Sequence, residues 1–293
     1  MLTPLTITAH ARLAPEHVEA VVALAGEIRA SGIDPRLNEA WIATRDGTRE
    51  ADWLAWEGER LVGVAATERF GTTAEATIGL LPDAPATTAA ALYGALCRAL
   101  PQQGIGRLLL LHDRRATTLR AMAEANQLTF DHAECVMCRP GDLGVPVVLH
   151  GSLAIVEAVG DLLPAAAHVL AEGWGGAVAE ILARMQQDYE RGTIRYFLAL
   201  LGDEPVATLN IQMLAGHPWL YGLVVREAYR GRGYGRQIVA AALAEVASQE
   251  HGDVFLEVEP ENTPAVNLYR SLGFAVVRTF DYWAKELHDG TYS

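Results

Sequence analysis

Two stretches of the chain repeat one alternation of apolar and polar positions. Residues 54–67 read "LAWEGERLVGVAAT" and residues 198–211 read "LALLGDEPVATLNI". Each is an apolar strand, a Gly-acid turn and a second apolar strand, which predicts a β-hairpin. Gly58 falls on Gly202 at an offset of 144. Further along, "ATTLRAMAEANQLTF" (116–130) lies over "NTPAVNLYRSLGFAV" (262–276) at an offset of 146. Each reads as a short helix, a turn and a strand. Between these anchors both halves carry a strand, an alanine-rich helix ("TTAAALYGALCRAL" and "RQIVAAALAEVASQ") and a buried-looking strand ("GRLLLLH" and "VFLEV"). The order in each half is helices, hairpin, strand, helix, strand, helix, strand. It predicts an α/β protein of two tandem domains of like topology, at 1–145 and 150–293. The join falls near "PGDLGVPVVLHGS" (140–152), where Gly and Pro gather.

The halves differ at one place. The second contains "YRGRGYGRQIV" (229–239), between an expected strand at 217–225 and a helix at 235–249. The first offers only "DAPATTA" there. Glycines at the start of a helix let successive N–H groups point into one hollow. Those N–H groups lack partners inside the helix, and its dipole makes that end positive. Arg230, Arg232 and Arg236 add charge and bidentate donors. The pattern suits a phosphate or pyrophosphate, and taken alone it also suits an ordinary glycine-rich turn with solvated arginines. It is not a P-loop, which needs a Lys and a hydroxyl, nor a G-x-G-x-x-G turn, since Arg236 stands at the third glycine.

Charge sharpens this reading. The chain of 293 residues has a formal net charge of −13. Neither half has the basic face that nucleic acid requires. Yet Arg226, Arg230, Arg232 and Arg236 fall within eleven positions, which implies a local anion site in an acidic domain. No membrane span is expected: the most apolar region, "AIVEAVGDLLPAAAHVL", is broken by Glu157, Asp161 and Pro164. The start "MLTPLTITAHAR" does not read as a signal peptide, and three cysteines fit a reducing cytoplasm. Cys135 and Cys138 form a lone C-x-x-C without two further ligands, so no metal is expected. The nine histidines show no H-E-x-x-H.

"VVREAYRGRGYG" resembles the acyl-CoA signature [RQ]-x-x-G-x-[GA] of the GNAT N-acetyltransferase superfamily, with Arg230, Gly233 and Gly235 in place. "ENTPAVNLYRSLGF" resembles that superfamily's later motif, with Asn262, Ala265, Leu268, Tyr269, Gly273 and Phe274 in place. The close match covers about residues 195–287. Tandem GNAT proteins such as the mycothiol synthases carry the active site in the second half. The resemblance implies two GNAT-like domains, each a mixed, mostly antiparallel twisted sheet flanked by helices, the first a degenerate copy lacking the pyrophosphate loop. It implies acetyl-CoA as cosubstrate. Backbone groups of Leu223, Val224 and Val225 would pair with the pantetheine arm. The N–H groups across Arg230, Gly231, Arg232, Gly233, Tyr234, Gly235 and Arg236 would hold the pyrophosphate. Asn262 would contact the cofactor, and Tyr269 would stand by the thioester sulfur.

Acetyl transfer to an amine needs a neutral nucleophile, a polarised carbonyl and a protonated leaving thiol. Tyr269 is the expected acid, although a tyrosine on an apolar helix also suits a core. The base is left open among Glu257 and Glu259 on "FLEVEPEN", His217, and Glu172 in "AEGWGG", with Glu257 the first choice. Many relatives carry an acid on the strand before the loop, and residues 219–225 hold none. The expected activity is direct N-acetyl transfer, in a ternary complex, to the amine of a small molecule or peptide, by a monomer or homodimer. The contrasting expectation is an acyl-CoA-binding or scaffold protein of the same fold that does not turn over.

Overall fold

A computed structural model describes residues 4–85, 87–144, 153–249 and 252–287. Its contacts divide the chain into two compact units, residues 1–133 with 278–293, and residues 134–277. The expected join at 140–152 lies largely outside the described residues, and the cuts fall elsewhere, at 133/134 and 277/278.

The first unit opens with β1 (Leu5–His10), α1 (Pro15–Ala30) and α2 (Glu39–Ala43). The hairpin follows as β2 (Asp52–Glu57) and β3 (Arg60–Phe70), then β4 (Thr73–Leu80), α3 (Thr87–Gln102), β5 (Arg107–Asp113) and α4 (Thr117–Ala125). β6 (Thr129–Arg139) leads into the second unit, which runs β7 (Leu153–Glu157), α5 (Leu163–Trp174), α6 (Val178–Arg191), β8 (Ile194–Leu201), β9 (Glu204–Leu214), β10 (His217–Val225), α7 (Tyr234–Ser248), β11 (Val254–Val258), α8 (Thr263–Ser271) and β12 (Ala275–Glu286).

In the first unit the strands lie in the order β1-β2-β3-β4-β5-β12, antiparallel throughout except for β4 beside β5. Gly63 and Gly79 show where the helices sit. A β-carbon at Gly63 would press on Thr88 and Leu92 of α3, and one at Gly79 on Ile28 of α1. Gly79 is paired with Val64, the neighbour of Gly63, so the two helices cover opposite faces. The core collects Trp53, Leu54, Ile78, Leu92, Leu96 and Leu110 between them.

The second unit repeats the plan in the order β6-β11-β10-β9-β8-β7, with β10 and β11 as its parallel pair. Tyr196, Leu198 and Val224 pack with α5 and α6 on one face. Leu209, Ile211, Leu220 and Leu256 pack with α7 and Tyr269 on the other. Each unit is thus a mixed, mostly antiparallel sheet flanked by helices, as the resemblance implied.

The repeat extends to backbone detail. Gly58 and Gly202 both take positive φ, 64° and 62°, in two-residue hairpin loops. The hairpin registers both slip at matching places, between Ala55 and Trp56 and between Ala199 and Leu200. α4 and α8 are nine residues each.

The sixth strand of each sheet comes from the other half of the sequence. Residues 135–139 of β6 pair with β11, and residues 280–286 of β12 pair with β5. An apolar strand edge left bare invites pairing with another chain, and these strands cover β5 and β11.

Candidate active site

β10 carries one residue more than its neighbour. Tyr221 is opposite Asn210, and Val224 is opposite Thr208, so three steps along β10 match two along β9. The surplus is a β-bulge, and Gly222 takes it up at φ 62°. A β-carbon at Gly222 would stand 2.8 Å from Nδ2 of Asn210. On its other side β10 pairs with β11 only at Trp219–Phe255 and Leu220–Leu256. Beyond Leu220 the two parallel strands part. Leu223 and Val224 therefore line an edge of β10 that meets no strand. The bulge keeps Val224 turned to α5 and α6, while Leu223 and Val225 pack towards α7 and α8. The Val225 carbonyl is engaged, accepting from Nε of Arg230 at 3.0 Å.

Next comes the glycine-rich turn. Glu227–Tyr229 form a single helical turn, Arg230 is extended, and Gly231 and Gly233 lie at φ 75° and 80°. Open space surrounds the missing β-carbon at both glycines, so backbone angle and not crowding selects glycine there. α7 starts at Tyr234 with no side-chain cap. The amides from Gly231 to Arg236 have no acceptor among the described residues, and Gln237 is the first to donate, to the Gly233 carbonyl at 3.2 Å. A helix of 15 residues thus presents bare N–H groups at its positive end. Tyr234 is buried and leans on Tyr229, with centroids 6.4 Å apart, which pins the turn. A β-carbon at Gly235 would stand 3.4 Å from Leu268 and 3.5 Å from Val225, in ordinary contact, so the start of α7 lies near both β10 and α8.

The arginines divide into two groups. Arg226 does not belong to the anion site: its guanidinium bonds Glu172 at 2.9 Å, Glu204 at 2.6 Å and the Pro205 carbonyl at 3.0 Å. It ties α5 to the β9–β10 layer and is neutralised there. Arg230, Arg232 and Arg236 are exposed around the turn. Arg232 lies 5.5 Å over the ring of Tyr229, and Nη1 of Arg236 donates to Oγ of Ser271 at 2.5 Å.

α8 presents Tyr269, which is 8% exposed and packed edge-on against Phe274 at 5.9 Å. Burial pushes its phenol up to about 12. Its hydroxyl has no hydrogen-bond partner among the described residues. Asn262 caps α8, its Oδ1 accepting from the Ala265 amide at 3.3 Å. That bond leaves the amide nitrogen of Asn262 for other contacts.

The candidate bases separate clearly. Glu257 follows Leu256, the last residue of β11 to pair with β10, so it stands where the strands part. The Tyr221 hydroxyl lies 3.5 Å from its Oε2. Glu259 lies past the end of β11 and is exposed, so the strand does not hold the two glutamates as a pair. Glu172 is tied to Arg226. His217 begins β10, edge-on to Phe255 at 5.3 Å.

Two residues at this site escaped the sequence reading. Asn210 is 9% exposed, fills the space left by the missing β-carbon of Gly222, and keeps Oδ1 buried without a partner. Gly173, at the end of α5, lies against Val224. The glycine inside "WLYGLVV" was the available signal for the bulge, because glycine within a strand commonly marks one.

The first unit lacks this geometry. β4 and β5 stay paired from Thr73–Arg107 to Thr77–Leu111, and β3–β4 runs without a slip. At the end of β5, Asp113 is held by Arg115 at 2.5 Å and by the Asp34 amide at 3.0 Å. Beyond Thr77–Leu111 the two strands also part, but β4 carries no bulge and no glycine-rich turn follows it.

Residues 164–274 match the family model of the acetyltransferase (GNAT) family. That region is a GNAT domain. Its relatives include the mycothiol acetyltransferase of Corynebacterium aurimucosum, 39% identical over 70 residues, which are 24% of this chain and 22% of that protein. N-alpha-acetyltransferase 30 of Saccharomyces cerevisiae is 35% identical over 65 residues, 22% of this chain and 37% of that one. The chain thus matches about a fifth to two-fifths of the length of these relatives. Across its full length it has the fold of a GCN5-related N-acetyltransferase from Sphaerobacter thermophilus, with a TM-score of 0.81 at 18% identity, covering 98% of this chain and 96% of that one. It also has the fold of a tandem GNAT protein from the clavulanic acid biosynthesis pathway, with a TM-score of 0.76 at 18% identity, covering 98% and 100%. Among the described residues of the GNAT domain and its companion unit, no cluster of His, Cys, Asp or Glu is placed to hold a metal, and no helix is long and apolar enough to cross a membrane.

Proposed function

We propose that the second unit binds acetyl-CoA and transfers its acetyl group directly to an amine in a ternary complex. One observation carries this reading: the unpartnered amides of Gly231–Arg236 lie beside the bare edge of β10. A diphosphate suits the amides, and a pantetheine arm suits an edge that offers peptide groups with no strand to meet them. Arg230, Arg232 and Arg236 add charge around the diphosphate, and the amide nitrogen of Asn262 faces no competing bond. The N–H group of the bulged segment at Leu223 supplies a donor for the thioester carbonyl.

The remaining roles follow from burial and position. Tyr269 holds its proton throughout the neutral range and gives it to sulfur as the C–S bond breaks. The burial that raises the phenol also raises the proton affinity of a thiolate beside it. Glu257 takes the proton that the amine sheds as the new C–N bond forms, directly or through one water. The first unit has neither the bulge nor the glycine turn, so it lacks the two features that hold acetyl-CoA in this reading.

Calorimetry with acetyl-CoA and a coenzyme A release assay with an amine panel test this together. The expected result is one site per chain, with release that depends on the amine. Binding without release from any amine would make the protein an acyl-CoA-binding module. Absence of binding would remove the reading altogether.

A further inference from the structure

We propose that the acceptor is a small aliphatic diamine, recognised by its second positive charge, and that amines bearing a carboxylate are rejected; this rests on the transfer reading above. One face of the second sheet has the composition such an acceptor needs. Side chains alternate along a strand, so His217, Trp219 and Tyr221 share a face of β10. The strand registers extend that face to Phe255 and Glu257 on β11, to Asn210 and Gln212 on β9, and to Val136 and Cys138 on β6. Glu134, two residues before Val136, continues it. These positions hold two carboxylates and no Lys or Arg. Arg195 and Arg139 pair with Ile211 and Val254, and so belong to the other face.

The aromatic side chains form a continuous row. Trp219 stacks on Phe255 at 5.2 Å and on Tyr221 at 6.0 Å, and His217 meets Phe255 edge-on. The row starts beside the bulge, where Tyr221 reaches towards Glu257, and runs back along β10. Trp219, Tyr221, Phe255 and Glu257 are only half-buried. Aromatic faces attract cations, and a carboxylate beside them adds to that field. Among the described residues, the sheet positions of this face offer an acceptor's carboxylate no Lys or Arg.

A second charge gives this face a cation to hold while the first amine reacts. The amine that attacks must be neutral, so it cannot also be the group recognised as a cation. An alkylamine elsewhere on the acceptor has a pKa of ~10.4 and stays protonated at neutral pH. In extended 1,4-diaminobutane the nitrogens lie about 6 Å apart, from C–C bonds of about 1.5 Å. That matches the 6.0 Å between the Tyr221 and Trp219 rings. With one amine at the Tyr221 ring, the aromatic nearest the bulge, the other reaches the tryptophan. The free amine forms the C–N bond, its surplus proton goes to Glu257, and the thiolate takes the Tyr269 proton.

The test uses the full chain, saturating acetyl-CoA and three acceptors of one length: 1,4-diaminobutane, butylamine and 4-aminobutyrate. The expected kcat/KM for the diamine is at least about fivefold above butylamine, and that for the aminobutyrate at least about tenfold below it. The non-reactive dication 1,4-bis(trimethylammonio)butane should compete with the diamine on the unaltered protein. Trp219→Leu should raise the diamine KM about fivefold and bring the diamine/butylamine ratio towards one. Equal use of butylamine, preference for the aminobutyrate, or no competition by the dication would overturn the diamine proposal alone. Lack of release from all three acceptors alongside release from another amine of the panel would likewise overturn the diamine proposal alone, and lack of release from every amine would overturn the transfer reading with it.

Discussion

Gly173 lies so close to Val224 that a β-carbon added there would stand 2.5 Å from both γ-carbons of the valine. The end of α5 is therefore seated on the bulged segment of β10, and the two cannot move independently. Trp174, 72% exposed, follows immediately. Gly173→Ala forces Val224 or α5 to shift. The expected cost is about 1–3 kcal/mol of stability, as for overpacking elsewhere. Because Val224 belongs to the edge offered to the cofactor, acetyl-CoA affinity should fall as well. Thermal unfolding and calorimetry on the same variant check both; a variant that binds normally would show that the seat does not matter to the site.

Gly231 and Gly233 make a contrasting pair of targets. Both have positive φ, and neither has a neighbour within reach of a β-carbon. Alanine at either position costs about 1 kcal/mol through backbone angle alone. If the amides of the turn grip a diphosphate, rotating them out of the hollow weakens acetyl-CoA binding at least about tenfold, with stability little changed. Equal binding by Gly233→Ala would reduce the turn to a helix start.

The parts of this site that were legible beforehand are local in sequence. Gly231, Gly233 and the apolar face of α7 form one short motif, and hairpins of period two announce themselves through Gly58 and Gly202. The role of Arg226 was not legible, because its partners Glu172 and Glu204 come from other elements, 54 and 22 positions away. The strand exchange was hidden for a related reason. An apolar strand such as "AECVMCR" declares that it is buried on a sheet, and its pattern is the same whichever neighbour it pairs with. Asn262 combined both situations: its place in the motif was readable, whereas its use of Oδ1 on the Ala265 amide depends on the local turn.

Tyr269 gives a prediction with a defined pH sign. Burial disfavours the phenolate, so the folded chain keeps this proton up to about 12, whereas an unfolded tyrosine loses it near ~10. Its contribution to folding is complete below about pH 10 and is lost as the pH rises through 12. In catalysis the same shift keeps the acid in its working form over the whole assay range. The rate should rise as the acceptor amine deprotonates, with no descending limb before about pH 10. Tyr269→Phe should lower kcat about a hundredfold or more while the acetyl-CoA Kd stays within a few-fold. A descending limb near neutrality, or full turnover by the phenylalanine variant, would assign the proton on sulfur to another group.

The exchanged strands lead to a prediction about fragments. A fragment cut by sequence repeat, residues 150–293, keeps the glycine turn, α7 and α8, and loses residues 135–139, which pair along the whole of β11. It carries residues 278–286 without β5, their partner. Phe280 and Tyr282, 2% and 3% exposed in the whole chain, would then have no cover. A fragment cut by contact, residues 134–277, retains every strand of the second sheet and drops that apolar tail. Removing a sheet edge beside the splayed pair costs several kcal/mol of buried Cys135, Met137 and Leu256 surface, at about 25 cal/mol per Å². The contact-based fragment should unfold cooperatively and bind acetyl-CoA, and the repeat-based one should aggregate or melt without a transition. If residues 150–293 proved to be the more stable binder, β11 would not need the strand it borrows.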